Sequence, residues 1–260
     1  MSFFNIFDKN DNSEDIINKS QEDAKIIANY LKCPYEFIEG GKQPAEIMER
    51  YLALRKEGIE NGFTPIIIPL EEYIDRNMMF ENDNVEEFYS EITGASPIDA
   101  EQWFVETAES DKEFYSVNEN PEKIAELIKK KGIPESHDFI GFKNYGKKCT
   151  YPVMIIKIPE KDPWKVFAYI PFGGWNDCPT NEEIMYISKY WFEKYGAVPA
   201  VISSDTLEFF AQPIENPEEA HKLANEMFVF CTDIVFQGVG YVGILEEMIK
   251  TSTTWYFWWD

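Results

Sequence analysis

The stretch PFGGWNDCPTNEE, residues 171–183, holds the most distinctive group of reactive and polar side chains in the sequence. Its two glycines let the backbone turn sharply, and Trp175, Asn176, Asp177 and Cys178 fill the loop before a helix start. A cysteine beside a helix N-terminus has its thiolate favoured by the helix dipole, which is one way nucleophilic cysteines are activated. Cys178 is therefore the candidate catalytic residue, with Asn176 placed to orient a partner or to donate to an oxyanion. Three features weigh against it: Pro179 follows directly, Asp177 disfavours a neighbouring thiolate, and no histidine stands near in sequence. A cysteine also packs well as a small apolar side chain. The Gly-Gly pair fits neither the dinucleotide nor the Walker phosphate spacing.

A second group is FCTDIVFQG, residues 230–238, where Cys231, Asp233 and Gln237 fall at and beyond the end of an apolar helix. An aspartate at a helix C-terminus is electrostatically misplaced, so Asp233 has a specific hydrogen-bond partner or simply marks a turn. His221, ten residues before Cys231, reads as a solvated position off the apolar stripe. His137 is the other histidine, and Cys33, Cys149, Cys178 and Cys231 lie far apart. With no paired spacing, neither a structural metal site nor a disulfide framework is expected, and no cofactor motif is present. The acidic pairs Glu71-Glu72, Glu86-Glu87, Glu182-Glu183 and Glu246-Glu247 read as helix or turn surface; glycoside chemistry would need two carboxylates converging in one cleft.

A third group is TTWYFWWD, residues 253–260. In a strand, Trp255, Phe257 and Trp259 point one way and Tyr256 and Trp258 the other. Aromatics on both faces predict a strand covered on both sides, central in its sheet or docked under helices. A ligand platform is the alternative, because indole N–H groups sit where a polar partner is available. Together the three groups give a candidate binding set of Trp175, Asn176, Asp177, Cys178, Asp233, Gln237, Trp255, Trp258 and Asp260, expected to meet around one pocket or polar network.

These groups need a scaffold, and the composition supplies a globular one. Hydrophobic residues make up 44% and aromatics 16% of 260 residues, enough to bury a large core and incompatible with a disordered tail. No apolar run approaches the ~20 residues that span a bilayer, and the acidic, amide-rich start lacks the pattern of a signal peptide. A cytoplasmic location is expected. The formal charge of −23 repels phosphate backbones and anionic lipid and favours a basic protein partner; solubility alone is the plainer explanation.

Helix punctuation is strong. Residues 15–31 and 44–57 read as helices, the second closed by Gly58. Ser96-Pro97-Ile98-Asp99 and Asn120-Pro121-Glu122 read as helix starts, the latter helix stopped at Gly132. Thr180 and Glu183 have the spacing of a capping box for a helix over 181–195, with Ile184, Ile187, Trp191 and Tyr195 on one stripe and Gly196 at its end. Asn216 caps another, with Pro217 as its first residue and Glu219 completing a capping box, and core positions at Ala220, Leu223, Ala224, Met227, Phe228 and Cys231. A short helix over 243–250 leads to the terminal strand. Strands are expected over 62–69, 151–159 and 165–172, the last two joined by a turn at 160–163, and a hairpin at Ser204-Asp205.

GGWNDCP, then Trp191, Tyr195-Gly196-Ala197, Cys231, Asp233, Val235, Gln237-Gly238 and the terminal WYFWWD resemble the pattern of an uncharacterised bacterial family, domain of unknown function 4253. The resemblance covers roughly the last 110 residues. It implies a bacterial cytoplasmic protein and brings no established activity.

The expected fold is α+β, a mixed or antiparallel sheet flanked by helices with a more helical N-terminal portion. Residues 1–147 form a helical N-terminal region and 148–260 a C-terminal domain, with the charged segments 81–87 and 143–148 as boundaries. The expected function is an acidic interaction module that binds and neutralises a basic protein, as immunity proteins do. It has no nucleic acid or membrane partner. The alternative is a small-molecule binder or thiol-dependent enzyme using the loop from Trp175 to Cys178.

Overall fold

The computed structural model describes residues 13–70, 84–110, 112, 120–144 and 149–260. The pair Glu71-Glu72, the start of the 81–87 boundary and residues 145–148 of the second boundary lie outside the described residues. The described residues form eight strands and eight α-helices. They are α1 (Ser13–Leu31), β1 (Tyr35–Ile38), α2 (Pro44–Asn61), β2 (Thr64–Pro69), α3 (Val85–Gly94), α4 (Ala100–Ser110), α5 (Pro121–Lys131) and the small pair β3 (Lys143–Asn144) and β4 (Cys149–Thr150). Then come β5 (Val153–Ile158), a 3-10 helix (Pro163–Ala168), α6 (Asn181–Tyr195), β6 (Val198–Ile202), β7 (Thr206–Phe210), α7 (Pro217–Phe230), a π-helix (Ile234–Val239), α8 (Val242–Ile249) and β8 (Thr254–Trp258).

Six strands form one mixed sheet in the order β1-β5-β2-β6-β7-β8. Only the β2–β6 pairing is parallel; the other four are antiparallel. The fold is α+β with helices on both faces. Alternation along each strand divides the core. Ile66, Ile68, Met154, Ile156, Leu207, Phe209, Trp255 and Phe257 pack with α1, α3, α4, α6, α7 and the 3-10 helix on one face. Ile67, Val153, Ile155 and Val201 face α2 and the segment holding Phe139 and Phe142 on the other. Strands β1 and β2, from before residue 148, interleave with β5 and β6 from after it, so one apolar core runs across that boundary.

Trp191 of α6 anchors the larger core. It stacks on Phe257 at 5.6 Å and on Phe104 at 6.0 Å, and meets Phe209, Phe230 and Trp255 edge-on. Offset and T-shaped rings of this kind add stabilisation beyond area burial. Its indole N–H donates to Glu226 at 3.1 Å, and Tyr190 donates to the same carboxylate at 2.8 Å. The capping box at Thr180 and Glu183 is formed, and Gly196 closes the helix in the left-handed region.

Four expectations need correction. Residues 165–172 are no strand: Pro163 starts a 3-10 helix that buries Val166, Phe167 and Ala168. Both edges of β5 are already paired, with β1 and β2, so no edge remains for a hairpin partner. Gly58 does not end α2, which runs on to Asn61 and stops at Gly62, φ 83°. A Cβ on Gly58 would lie 2.2 Å from the Phe63 carbonyl oxygen, so glycine is kept there by the close return of the chain. Glu219 bonds Lys194 and Tyr195 rather than closing a box; Asn216 alone caps α7, accepting from the Glu218 and Glu219 amides. Finally, of the two placements expected for β8 the central one fails: it is an edge strand, docked under α6 and α7. Its odd-numbered face, Trp255, Phe257 and Trp259, is buried, while Tyr256 and Trp258 are half-buried.

Candidate functional site

The loop after the 3-10 helix is a tight backbone structure. Gly173 and Gly174 take φ of 86° and 75°, and the Gly174 amide donates to the Cys178 and Pro179 carbonyls at 3.2 and 3.0 Å. A Cβ at Gly173 would sit 2.0 Å from the Pro179 carbonyl oxygen, so no other residue fits without rearrangement. Asn181 fixes the loop from the helix side. Its buried amide donates to the Phe167 and Ile170 carbonyls and accepts from the Phe172 amide, at 2.7, 3.0 and 2.8 Å.

Asn176 sits in the left-handed region at φ 47°, which asparagine tolerates better than most residues. This turn aims its side chain at the end of β8, where Nδ2 donates to the Asp260 carbonyl at 2.8 Å. The Asp260 amide donates to Asp233 Oδ2 at 3.1 Å, and Gln237 Nε2 donates to Asp233 Oδ1 at 2.9 Å. Asn176, Asp260, Asp233 and Gln237 thus form one chain of hydrogen bonds. Close by, but outside this chain, Cys231 donates its thiol to the Trp258 carbonyl at 3.0 Å. Asp233 is placed by the π-helix that starts at the next residue, closed by Gly240 at φ 87° with its amide on the Val235 carbonyl. Such helices are rare and recur at functional sites.

The rest of the candidate set divides. Trp258 turns its indole N–H to Asp205 at 3.2 Å. Trp255 is buried among Trp191, Tyr195 and Phe209. Trp175 packs on the larger core, and Asp177 is exposed. Cys178 is 5% exposed. Burial, then the neighbouring Cys231 and Glu183, drive its thiol far above the ordinary range against one opposing bond from the Gly174 amide. Desolvation thus works against the thiolate that a helix N-terminus would favour. Cys231 is likewise pushed up to about 12, mainly by burial. Among the described residues, no group of three or more His, Cys, Asp or Glu side chains is disposed to hold a metal ion.

Beside this network lies a cavity of about 320 Å³. The edge strand β8 forms one side, the π-helix and α8 the others, with Met227 of α7 and the segment at Ser136 and Ile140 completing it. The segment is tied to β8 by Ser136, whose carbonyl accepts from the Thr253 and Thr254 amides and whose hydroxyl meets that of Thr254 at 2.7 Å. The walls are chiefly apolar: Ile140, Ile234, Val239, Leu245 and Ile249 among them. Asp233, Gln237, Trp255 and Trp258 of the candidate set line it; Asn176 and Cys178 do not.

Sequence reasoning missed the cavity's α8 and 136–140 walls, because apolar helix positions look alike whether they meet a core or a void. It also missed Glu208, a β7 side chain 1% exposed that accepts the amides of Ile140 and Gly141 at 2.8 and 3.0 Å. This bond holds the cavity-lining segment against the sheet. In TLEFF the alternation marks Glu208 as a non-core position and gives no sign that a loop covers it.

No curated protein and no solved structure matches this chain. Residues 154–260, a stretch that includes every residue of the candidate set, match the family model described as Domain of unknown function (DUF4253).

Proposed function

We propose that this chain is a cytoplasmic binding module that takes a small, largely apolar molecule into the cavity beside β8. The cavity itself carries the proposal. Its volume of about 320 Å³ falls in the range of roughly 300–1,000 Å³ usual for ligand clefts. Apolar walls with a few convergent polar groups are the usual make-up of a ligand site. Met248, half-buried on the cavity wall, gives a test by filling. M248W should abolish binding of a neutral apolar probe such as phenethyl alcohol, followed by titration calorimetry, while the thermal unfolding midpoint holds or rises. Equal binding by both proteins would place the probe elsewhere and refute the reading.

The charge favours a second reading, an interaction module that neutralises a basic protein in the manner of a bacterial immunity protein. The net charge of −23 should steer such a partner, so association should slow steeply as salt shortens the Debye length to ~10 Å at about 0.1 M. A basic partner whose on-rate ignores salt would leave the charge to solubility.

A further inference from the structure

We infer that the cavity is selective for an organic cation, an ammonium group on an apolar or aromatic body. This rests on the cavity being a ligand site, as proposed above. Among the described residues Asp233 is the sole charged side chain that lines it; no lysine, arginine or histidine among them does. The carboxylate is held in place by two neutral donors, the Asp260 amide and the Gln237 side chain. A carboxylate offers about four acceptor sites, so two bonds orient Asp233 and leave capacity for a ligand N–H. Among the described residues no basic side chain makes an ion pair with it.

The remaining walls fit the body of such a molecule. Leu245, Met248 and Ile249 give apolar surface. Tyr256 and Trp258 line the β8 side, and aromatic faces attract cations through their quadrupole. Trp258 keeps its ring fixed by donating to Asp205. An anionic ligand meets the opposite situation: one fixed carboxylate, no counter-charge, and the field of a chain with net charge −23. A neutral ligand gains the apolar contact alone.

Three probes of one shape separate these cases on the full chain: phenethylammonium, phenethyl alcohol and 3-phenylpropionate, each titrated by calorimetry at low salt. The ammonium should bind about tenfold or more tighter than the alcohol, and the carboxylate weakest. D233N should bring the ammonium to within about twofold of the alcohol while the alcohol keeps its affinity. The Gln237 amide can flip to suit the new side chain. If D233N fails to fold, salt gives the same answer on the native chain: it should weaken the ammonium and leave the alcohol. Equal native affinities for ammonium and alcohol, or a preference that survives D233N or is indifferent to salt, would overturn the inference while leaving the cavity reading in place. Absence of binding by all three probes would overturn both.

Discussion

Glu208 should make this protein less stable as the pH rises through neutrality. It sits in β7 with Leu207 and Phe209 on the opposite face, paired across the ladder with Tyr256. Burial pushes its carboxyl up to about 7 from an ordinary 4.5, opposed by the Ile140 and Gly141 amides and by the charge of Lys143. In the unfolded chain the group ionises near its ordinary value, whereas the folded chain keeps the proton to about 7. Between those limits the native state binds more protons, so unfolding free energy falls with rising pH. The favourable contribution is complete below the unfolded pKa and is lost by the time the pH has passed through the folded one. At about 1.4 kcal/mol per pKa unit, the loss between about pH 5 and pH 8 is on the order of 2–3 kcal/mol.

The assay is urea unfolding of the native chain and of E208Q across that range. Glutamine keeps the shape and one acceptor oxygen but does not titrate, so its curve should lack this component. The stability difference between the two proteins should move by about 2–3 kcal/mol in favour of the variant from about pH 5 to pH 8. Glu226, also raised by burial, adds a slope of the same sign and is common to both. Glu36, Glu86, Glu101 and Glu219 are lowered by their cationic partners; their contribution is lost only as the pH falls, below this window. Parallel curves would refute the reasoning and show that the two amides hold the carboxylate ionised.

Other perturbations test the frame around the site. F257A removes a ring with no exposed surface that packs on Trp191, Phe209, Phe230 and Trp259, and should cost about 3–5 kcal/mol in denaturant unfolding. N181A leaves two buried carbonyls and one amide without their partner, and its thermal midpoint should drop as for a loss of roughly 2–3 kcal/mol. With a thiol reagent on the native protein, half-buried Cys149 should react first and buried Cys33, Cys178 and Cys231 only on unfolding; rapid labelling of Cys178 would favour the nucleophile reading.

Features that depend on adjacent residues were legible in the sequence. The capping box at Thr180, the glycine at 196, the stripe from Ala220 to Cys231 and the hairpin at Ser204-Asp205 all rest on contacts a few residues apart. Features that depend on which strand neighbours which were not. The aromatic and branched residues 165–172 would suit a strand as well as a 3-10 helix, and only the occupied edges of β5 decide between them. The terminal aromatics likewise say that their strand is buried, not where it lies in the sheet. Asp233 stood out because its charge opposes the helix dipole, and its partners, Gln237 four residues on and the Asp260 amide, explain its position.

The edge position of β8 explains why its end carries so many aromatic rings. A strand at a sheet edge has one neighbour instead of two, so its ladder bonds alone hold it less firmly. Here side chains make up the difference: Trp255, Phe257 and Trp259 sink into the core beneath α6 and α7. Polar ties from four other segments then fix the margin, through Ser136, Asp205, Cys231 and Asn176. An edge fastened in this way gives the pocket one fixed side. A mobile edge would leave the pocket of about 320 Å³ without a fixed wall. The aromatic run and the hydrogen-bond chain at its end are therefore one device. They keep β8 rigid at the place where the cavity needs a wall.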